Sequence, residues 1–338
     1  MAHEKIAIIG AGSWGTALTK PLADKDFAIY LWDHFAEHIE KLREAGENPD
    51  FLPGYKFREN IRPVSDLEEA VRGSLVVVMA IPSHFFRGVF RRVIPFLAEG
   101  AHVVSVAKGI ENETLRTMSQ VMAEELAVTD AKPVHVAVLS GPSFAREVSM
   151  GLPTAVTIAS ESAEAARYLQ EAFSTDVFRV YTSSDVIGLE LGGSLKNIVA
   201  IAAGISDGLG YGTNTRAALI TRGLAEISRL GVKMGAEPLT FSGLAGLGDL
   251  VLTCTGDLSR NRTVGLGLGH GKRLTAILEE MKMVAEGVKT TRSAWDLARK
   301  EGVEMPILEQ VYQVLYHDKP CNAAVQDLMT RSVKEELD

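Results

Sequence analysis

Two lysines occupy stretches of this sequence in which a charged side chain is unusual. Lys108 follows a Val-rich run in VSVAKGIEN, and Lys196 stands in LGGSLKNIVAIAAG, which otherwise carries no charge. A lysine can act as a proton acceptor when burial or a neighbouring cation lowers its pKa, and hydride transfer from an alcohol needs such an acceptor. A lysine in an apolar stretch can equally extend its amine to solvent. The two residues alone leave both interpretations open.

The segment SGPSFARE offers groups that could hold an anion or a hydroxyl. It follows an apolar run at 134–139, and it contains Gly141 and Ser143. Backbone N–H groups at this point could bind a ligand at the end of a strand. A Pro-containing turn before a helix has the same appearance.

The segment GDLVLTCTGDLSRNRTVG brings Asp249 and then the consecutive residues Ser259, Arg260, Asn261 and Arg262. An arginine presents paired donors to a phosphate, and Ser and Asn add neutral ones. A solvated charged loop would show the same composition. The histidines show no ligand spacing with carboxylates, so the sequence predicts no metal site.

A glycine-rich turn stands near the start, in AIIGAGSWGTAL, where Gly10, Gly12 and Gly15 follow an apolar run. After a strand and before a helix, such glycines make a tight turn, admit a pyrophosphate and allow close helix packing. This context favours a dinucleotide cofactor over a turn without a ligand. Two further glycine-rich stretches, 243–248 and 265–271, do not follow a strand, and we interpret both as loops.

The residues Asp33 and His34 bear on the choice of cofactor. They lie about 20 residues after the glycines, at the end of the next apolar run, as expected for a residue that contacts the adenosine ribose. An acid there binds the ribose 2′-hydroxyl of NAD, whereas a basic residue favours the 2′-phosphate of NADP. Asp33 could instead cap the following helix. The sequence therefore predicts NADH or NADPH without choosing between them.

Alternating strand and helix patterns position these residues in the first half of the chain. The alternation predicts a doubly wound parallel sheet of the Rossmann type. Pro21 should kink the first helix or end it early, and Ser65 to Glu68 have capping-box spacing. Strands are predicted at 5–9, 27–32, 75–80, 102–106, 134–139 and 154–158, and helices at 13–24, 35–45, 84–97, 114–126 and 163–173.

The second half carries helical patterns without convincing strands. A long apolar helix is predicted from Ser184 onward, followed by helices at 215–230, 274–281, 290–300, 305–316 and 322–328. The expected organisation is α/β, with an N-terminal dinucleotide-binding domain at 1–185 and an all-helical C-terminal domain at 186–338.

Composition narrows the class of protein. The 338 residues carry a formal net charge of −8, which argues against a nucleic-acid partner. We find no signal-peptide pattern and no apolar run of membrane-spanning length. The two cysteines, Cys254 and Cys321, show no metal-ligand spacing. We expect a cytoplasmic protein with a small-molecule partner and no integral membrane segment, and a homodimer.

Taken together, these stretches resemble the bacterial form of the NAD(P)-dependent sn-glycerol-3-phosphate dehydrogenases. The resemblance runs from one end of the chain to the other. It is carried by GAGSWGTAL, IPSH, AKGIE, SGPSFARE, RVYTSSDVIGLELGGSLKNIVAIAAGISDGLG, TRGLAEISRLG, GLAGLGDLVLTCT, SRNRTVG, VAEGVKT and VEMPI. It implies the reversible conversion of sn-glycerol 3-phosphate to dihydroxyacetone phosphate, a step of phospholipid synthesis.

The resemblance also implies roles for individual residues. Lys196 matches the proton acceptor, Asp249 a residue beside it, and Lys108 a contact to both substrate and cofactor. The other matched substrate positions are Gly141, Ser143, Ser259, Arg260 and Asn261. The matched cofactor positions are Ser13, Trp14, His34, Ala145, Arg260, Val284 and Glu286.

One departure and two rival functions accompany this resemblance. Many bacterial members lack an acid at the position of Asp33, so a strict NADP preference does not follow. A reductase of another small oxo or hydroxy acid, of the ketopantoate type, would also use a helix-borne lysine but needs no phosphate site. A non-catalytic NAD(H) sensor would keep the glycines without needing Lys108, Lys196 and Asp249 together.

Overall fold

The computed structural model describes residues 4–130, 132–281, 285–333 and 335–336. These residues form an N-terminal α/β part followed by a part built from helices. The strands are β1 (Lys5–Ile9), β2 (Ala28–Trp32), β3 (Glu47–Asn48), β4 (Leu52–Lys56), β5 (Ile61–Val64), β6 (Val76–Met79), β7 (His102–Ser105), β8 (His135–Ser140), β9 (Thr154–Ala159) and β10 (Phe178–Ser183).

Eight of these strands form one sheet in the order β10-β9-β8-β7-β6-β1-β2-β5, and β3 and β4 form a separate two-stranded sheet. The six strands from β8 to β5 in this order pair in parallel. This confirms the parallel arrangement predicted for five of them, whereas β5 was not predicted as a strand. The prediction of parallel strands throughout is wrong at one place, since β9 pairs antiparallel to β8. β10 then pairs in parallel with β9 and extends the reversed edge.

Seven helices accompany these strands within the described residues. They are α1 (Ser13–Ala23), α2 (Ala36–Ala45), α3 (Leu67–Val71), α4 (Ser83–Val93), α5 (Met118–Ala127), α6 (Ala145–Ser149) and α7 (Ala163–Phe173). Alternate side chains of β1 serve two separate cores: Ile6 and Ile8 pack into one cluster, and Ala7 and Ile9 into another. A strand with apolar side chains on both faces is buried between two layers.

The sequence makes local predictions at Pro21 and at the start of α3. α1 includes Pro21 and ends two residues later at Ala23. The short helix α3 is capped by Asp66, whose carboxylate accepts from the N–H groups of Glu68 and Glu69. The helix is therefore capped by Asp66 and not by Ser65 as predicted, because Asp66 is itself a strong N-cap residue.

The second part of the chain is helical. Its helices are α8 (Val186–Gly208), α9 (Thr213–Lys233), α10 (Asp249–Thr255), α11 (Arg260–Gly269), α12 (Leu274–Glu280), α13 (Glu286–Glu301), α14 (Pro306–Tyr316) and α15 (Cys321–Met329). Among the described residues, α8 alone is long and apolar enough to cross a membrane by length and composition. Because 89% of its most apolar window is buried inside the protein, α8 packs as the central helix of this core.

The prediction that 265–271 and 243–248 are loops is wrong. Gly265 lies inside α11, and residues Leu244–Gly248 form a single π-helical turn before α10. A Cβ on Gly265 would lie 2.0 Å from the Ile201 carbonyl oxygen, and one on Gly204 would lie 2.1 Å from the Arg262 carbonyl oxygen. The glycines therefore allow two helix backbones to touch, which outweighs their low helix propensity.

Gly265→Ala and Gly88→Ala should change the free energy of unfolding in opposite directions, because only Gly265 lies in this close contact. Gly265→Ala should lower the free energy of unfolding by about 1–3 kcal/mol, because the backbone of α8 cannot move away cheaply. Gly88→Ala in α4 is the matched control, since a Cβ there meets no described atom within 4 Å beyond its own stretch of helix. Gly88→Ala should raise the free energy of unfolding by about 0.5–1 kcal/mol. Urea unfolding measures both, and equal effects at the two sites would contradict the close contact.

Candidate active site

Several segments with candidate functional residues lie at the carboxyl ends of the parallel strands. β1 ends before the glycine turn, β2 before Asp33, β7 shortly before Lys108, and β8 before Gly141. Parallel strands present their carboxyl ends at one edge of the sheet, where open α/β sheets bind ligands. The candidate site is therefore built at this edge.

The three glycines of the first turn have distinct roles. Gly10 has a φ of +114°, and a Cβ there would lie 2.5 Å from the Ala80 carbonyl oxygen. A Cβ on Gly15 would lie 1.9 Å from the Gly10 carbonyl oxygen, so the third glycine lets α1 approach the turn. At Gly12, by contrast, a Cβ would meet nothing within 4 Å of the described atoms. The space at Gly12 and the free N–H groups of α1 fit a dinucleotide pyrophosphate.

Neighbouring side chains support this turn. Asn48 donates from Nδ2 to the Ala11 carbonyl oxygen at 2.8 Å and to Thr16 Oγ1 at 2.9 Å. Ser13 Oγ donates to the Phe51 carbonyl oxygen at 2.8 Å. The buried Trp14 Nε1 has no hydrogen-bond partner among the described residues, which leaves a donor that a bound ligand can satisfy.

Asp33 joins the glycine turn to the start of α2. Its Oδ2 accepts from the Ala11 N–H at 3.3 Å, and its Oδ1 accepts from the Phe35 N–H at 3.0 Å. His38 Nδ1 lies 3.4 Å from the same Oδ2. Burial acts to raise the pKa of Asp33, but the hydrogen bonds from His38, Phe35 and Ala11 outweigh it and leave the pKa below its usual value. His34, the next residue, is exposed.

Lys108, Lys196 and Asp249 meet in one cluster. Lys108 Nζ donates to Asp249 Oδ2 at 2.7 Å and to the Gly141 carbonyl oxygen at 3.2 Å. Lys196 Nζ donates to Asp249 Oδ1 and to Thr253 Oγ1, the latter at 2.7 Å. Asp249 is 1% exposed, so its carboxylate is out of contact with bulk water. It bridges the two lysine side chains. Each of its oxygens accepts from a different lysine.

The surroundings of Lys196 change its acidity. Burial disfavours the ammonium ion and lowers the pKa of Lys196 to about 8, with Lys108 acting in the same direction and Asp249 opposing both. A group with this pKa can exchange a proton near neutral pH. The amine of Lys196 does not extend to solvent, since its side chain is 7% exposed.

Local structure explains why these groups converge. A Cβ on Gly193 of α8 would lie 2.6 Å from Ser140 Oγ and 3.6 Å from Lys108 Cγ, so α8 can lie against the edge of the sheet. Asp249 begins α10 after the π-helical turn, and Thr253 follows one helical turn later on the same face. Thr253 was not identified from the sequence, although its spacing of four residues from Asp249 is the signal.

The second cluster contains Ser259 and Asn261 at the start of α11. Ser259 caps this helix, and its Oγ accepts from the Arg262 N–H at 3.2 Å. Asn261 donates from Nδ2 to Asn197 Oδ1 at 2.9 Å, and its Oδ1 accepts from the Gly287 N–H at 3.0 Å. Because Asn197 directly follows Lys196, this bond ties the start of α11 to the buried lysine. Asn197 is a second site residue that sequence reasoning missed.

The two arginines of this segment differ. Arg262 forms ion pairs with Asp207 at 2.8 Å and with Asp257 at 3.0 Å. Asp207 also pairs with Arg216 at 2.5 Å, so Arg262 belongs to a salt-bridge network between helices. Arg260 is exposed at the first position of α11. Arg260 therefore presents its guanidinium at the helix N-terminus, a favourable place for an anion.

The remaining predicted residues lie around these clusters. Glu286 begins α13, and burial raises its pKa while the charges of Arg260, Lys108 and Lys196 act to lower it. Ala145 begins α6 and packs against the N-terminal core, and Ser143 Oγ donates to the Gly141 carbonyl oxygen at 2.9 Å. Val284 lies outside the described residues. Across the described part of the chain, no three or more His, Cys, Asp or Glu side chains form a group that could hold a metal ion.

Comparison with known proteins identifies relatives of the whole chain. A model of the NAD-dependent glycerol-3-phosphate dehydrogenase N-terminus matches residues 5–166, and a model of its C-terminus matches residues 185–326. The glycerol-3-phosphate dehydrogenase (NAD(P)+) of Desulfotalea psychrophila is 58% identical over 332 residues, which cover 98% of each chain.

Solved structures agree with these matches. The crystal structure of glycerol-3-phosphate dehydrogenase from Coxiella burnetii aligns with a TM-score of 0.93 at 42% identity, covering 98% of this chain and 100% of that one. A ketopantoate reductase from Ralstonia eutropha aligns with a TM-score of 0.59 at 16% identity, covering 95% of this chain and 99% of that one, which indicates a shared fold only. The chain therefore belongs to the NAD-dependent glycerol-3-phosphate dehydrogenase family.

Proposed function

We propose that this chain interconverts sn-glycerol 3-phosphate and dihydroxyacetone phosphate with NAD(H) or NADP(H), supplying the backbone of phospholipids. The observation that carries the proposal is the buried carboxylate of Asp249 between Lys108 and Lys196. The family membership and the glycine turn support the same reaction class. The bound nicotinamide would supply or accept the hydride.

The residues that would hold the dinucleotide lie at the carboxyl edge of the sheet and at the starts of α6, α11 and α13. The glycine turn and the first turn of α1 would bind its pyrophosphate through backbone N–H groups. Asp33 and His34 lie where the adenosine ribose would be recognised. The proposed cofactor contacts are Gly10, Gly12, Ser13, Trp14, Gly15, Asp33, His34, Lys108, Ala145, Arg260, Val284 and Glu286.

Lys196 is the proposed proton carrier. In the oxidation of glycerol phosphate its amine would accept the C2 hydroxyl proton, and in the reduction its ammonium would return that proton. Asp249 and Thr253 hold the Nζ atom in place through hydrogen bonds. A pKa of about 8 makes both protonation states accessible near neutral pH. Lys108 and Asp249 complete the substrate contacts around the reacting carbon.

The start of α11 is the proposed phosphate site. Ser259 and Asn261 are buried there, and Arg260 is the exposed cation at the same helix N-terminus. An N-terminus of this kind, with an arginine beside it, favours a phosphate dianion. A carboxylate substrate of the ketopantoate type would not need this second anion site. Gly141 and Ser143, beside Lys108, are proposed to bind the polar end of the substrate.

The proposal extends to organisation and location. We place the division between the two domains at 185/186, which is supported by the end of β10 at Ser183 and the start of α8 at Val186. We also propose that the protein is a homodimer and that it is located in the cytoplasm. Cys254 and Cys321 are both free thiols, which is compatible with a reducing compartment.

The role of Lys196 predicts a pH dependence and a loss of turnover. With the parent chain, kcat/KM for glycerol phosphate oxidation should rise with pH through about 8, since the neutral amine is the acceptor. For dihydroxyacetone phosphate reduction it should fall above that pH, since the ammonium is the donor. Lys196→Met should lower turnover by about 10²–10⁴-fold. Absorbance measures both directions: glycerol phosphate oxidation forms NADH or NADPH from the oxidised coenzyme, and dihydroxyacetone phosphate reduction consumes it.

Lys300→Met is the control for this change, because Lys300 is an exposed lysine on α13. It should leave both turnover and the pH profile unchanged. Near-parental turnover of Lys196→Met would refute the assigned role.

The ratio of the kcat/KM values for NADH and NADPH shows whether Asp33 or His34 governs the coenzyme preference.

The phosphate site predicts a substrate-dependent effect of Arg260→Ala. KM for dihydroxyacetone phosphate should rise by about 10–100-fold, because a charge-assisted contact to phosphate is lost. Coenzyme KM should change less. With dihydroxyacetone, which has no phosphate, parent and variant should show the same low activity. An equal KM for dihydroxyacetone phosphate in the two proteins would place the phosphate elsewhere.

A further inference from the structure

Glu190 is a buried carboxylate that the proposed reaction does not use. It lies on α8, six residues before Lys196, and is 4% exposed. Its Oε1 accepts from the Ser119 N–H at 2.7 Å, and its Oε2 accepts from Ser119 Oγ at 2.5 Å. Ser119 is the second residue of α5, whose N-cap is Thr117. A side chain of the helical part therefore binds the N-terminus of a helix that belongs to the α/β part.

Residues 106–117 connect this anchored N-terminus to β7, and they include Lys108. The connection is ordered by its own backbone bonds, since the Glu111 N–H donates to the Arg116 carbonyl oxygen at 2.9 Å. A second contact from the helical part reaches it where Ser293 Oγ donates to the Ile110 carbonyl oxygen at 3.2 Å. Within the α/β part, Arg87 holds Glu111 through an ion pair at 2.7 Å. Glu190 fixes the far end of the same connection.

The geometry points to Glu190 as a positioning residue: by holding the start of α5 on α8, it sets the place of Lys108 relative to Lys196 and Asp249. α8 then carries both Lys196 and the carboxylate that fixes the segment of Lys108. The inference rests on the proposed function, since it assigns Glu190 a part in arranging the groups of that reaction. Nothing in this role requires Glu190 to touch the substrate or the cofactor.

The charge of Glu190 is costly to bury, and its partners compensate for it. Burial raises the pKa of Glu190, while hydrogen bonds from Ser119, Thr117 and Met118 act to lower it. Free N–H groups at a helix N-terminus are favourable partners for a carboxylate. A carboxylate satisfied in this way provides a directional link, which apolar packing between the same two helices would not provide.

The chain contains a matched control for this arrangement. Glu226 on α9 is also buried, and its carboxylate accepts from the N–H groups of Ile307 at 2.7 Å and Leu308 at 3.3 Å. These groups lie at the start of α14, so Glu226 caps a helix as Glu190 does. Its contacts stay within the helical part of the chain. Removing Glu226 should therefore affect stability without moving Lys108.

The test compares Glu190→Ala, Glu190→Gln and Glu226→Ala in the full chain, each checked by urea unfolding to be folded at the assay temperature. Glu190→Ala should lower kcat/KM for dihydroxyacetone phosphate by about 10–100-fold, the effect of a small misplacement of reacting groups. Glu190→Gln should recover most of this loss, because its amide oxygen can still accept from the Ser119 N–H. Glu226→Ala should keep the parental kcat/KM.

The pH profile separates positioning from stability. The charged and titratable groups that act on Lys196 are Asp249, Lys108, Cys254 and Glu286. When Lys108 moves away, its repulsion of the Lys196 ammonium is lost, so the inflection of the reduction profile should move to higher pH in Glu190→Ala. Glu226→Ala should leave the inflection in place. An unchanged inflection and kcat/KM in Glu190→Ala, or equal changes in Glu226→Ala, would overturn the inference.

Hydrogen exchange provides a measurement that does not depend on turnover. Amides of residues 107–119 should exchange faster in Glu190→Ala than in the parent, and at the parental rate in Glu226→Ala. Equal exchange in all three proteins would also overturn the inference. If Glu190→Ala does not fold, Ser119→Ala takes its place, with a smaller change expected in the same direction. A parent chain without turnover would refute the proposed function, while the exchange comparison would still test the link.

Discussion

The carboxylate of Asp249 is the interaction on which the arrangement of the site depends. Lys108 and Lys196 come from different parts of the chain, and the partly buried ammonium of Lys108 beside the buried one of Lys196 would repel it. Asp249 accepts from both through separate oxygens, so one carboxylate offsets the repulsion between the two lysines. Buried charges are tolerated when they are paired and hydrogen-bonded, and removing one partner is strongly destabilising. The sheet edge, α8 and α10 must all be in place before this cluster can form.

The glycines of the helical part connect this cluster to the proposed phosphate site. Gly204 and Gly265 let the backbones of α8 and α11 touch, which sets the start of α11 relative to Lys196. The bond between Asn197 and Asn261 reinforces the same relationship through side chains. A small substrate with a hydroxyl at one carbon and a phosphate beyond it needs two anchor points at a fixed separation. In the proposed reaction, the helix pair α8 and α11 would provide both.

Much of this organisation could be predicted from the sequence, because the signals are local. The first strand, the glycine turn and the buried apolar helix around Lys196 follow from apolar patterns and from backbone constraints of glycine. The reversed direction of β9 could not be predicted, since its apolar run is equally suited to parallel or antiparallel pairing. The pattern of residues 265–271 predicts a loop because glycines are poor helix formers in isolation, and only the contact with α8 explains the helix at Gly265. Thr253, Asn197 and Glu190 act through partners distant in sequence, so composition and spacing do not identify their roles.

The most direct test of the Asp249 bridge is the pH profile of dihydroxyacetone phosphate reduction by Asp249→Asn. Without the carboxylate, burial and the charge of Lys108 act on Lys196 unopposed, so its pKa should fall. The loss of a paired opposite charge at this distance corresponds to about 1–3 pKa units. We therefore expect residual activity whose inflection lies at least about one unit below that of the parent. An inflection at the parental pH would contradict the central role of this carboxylate.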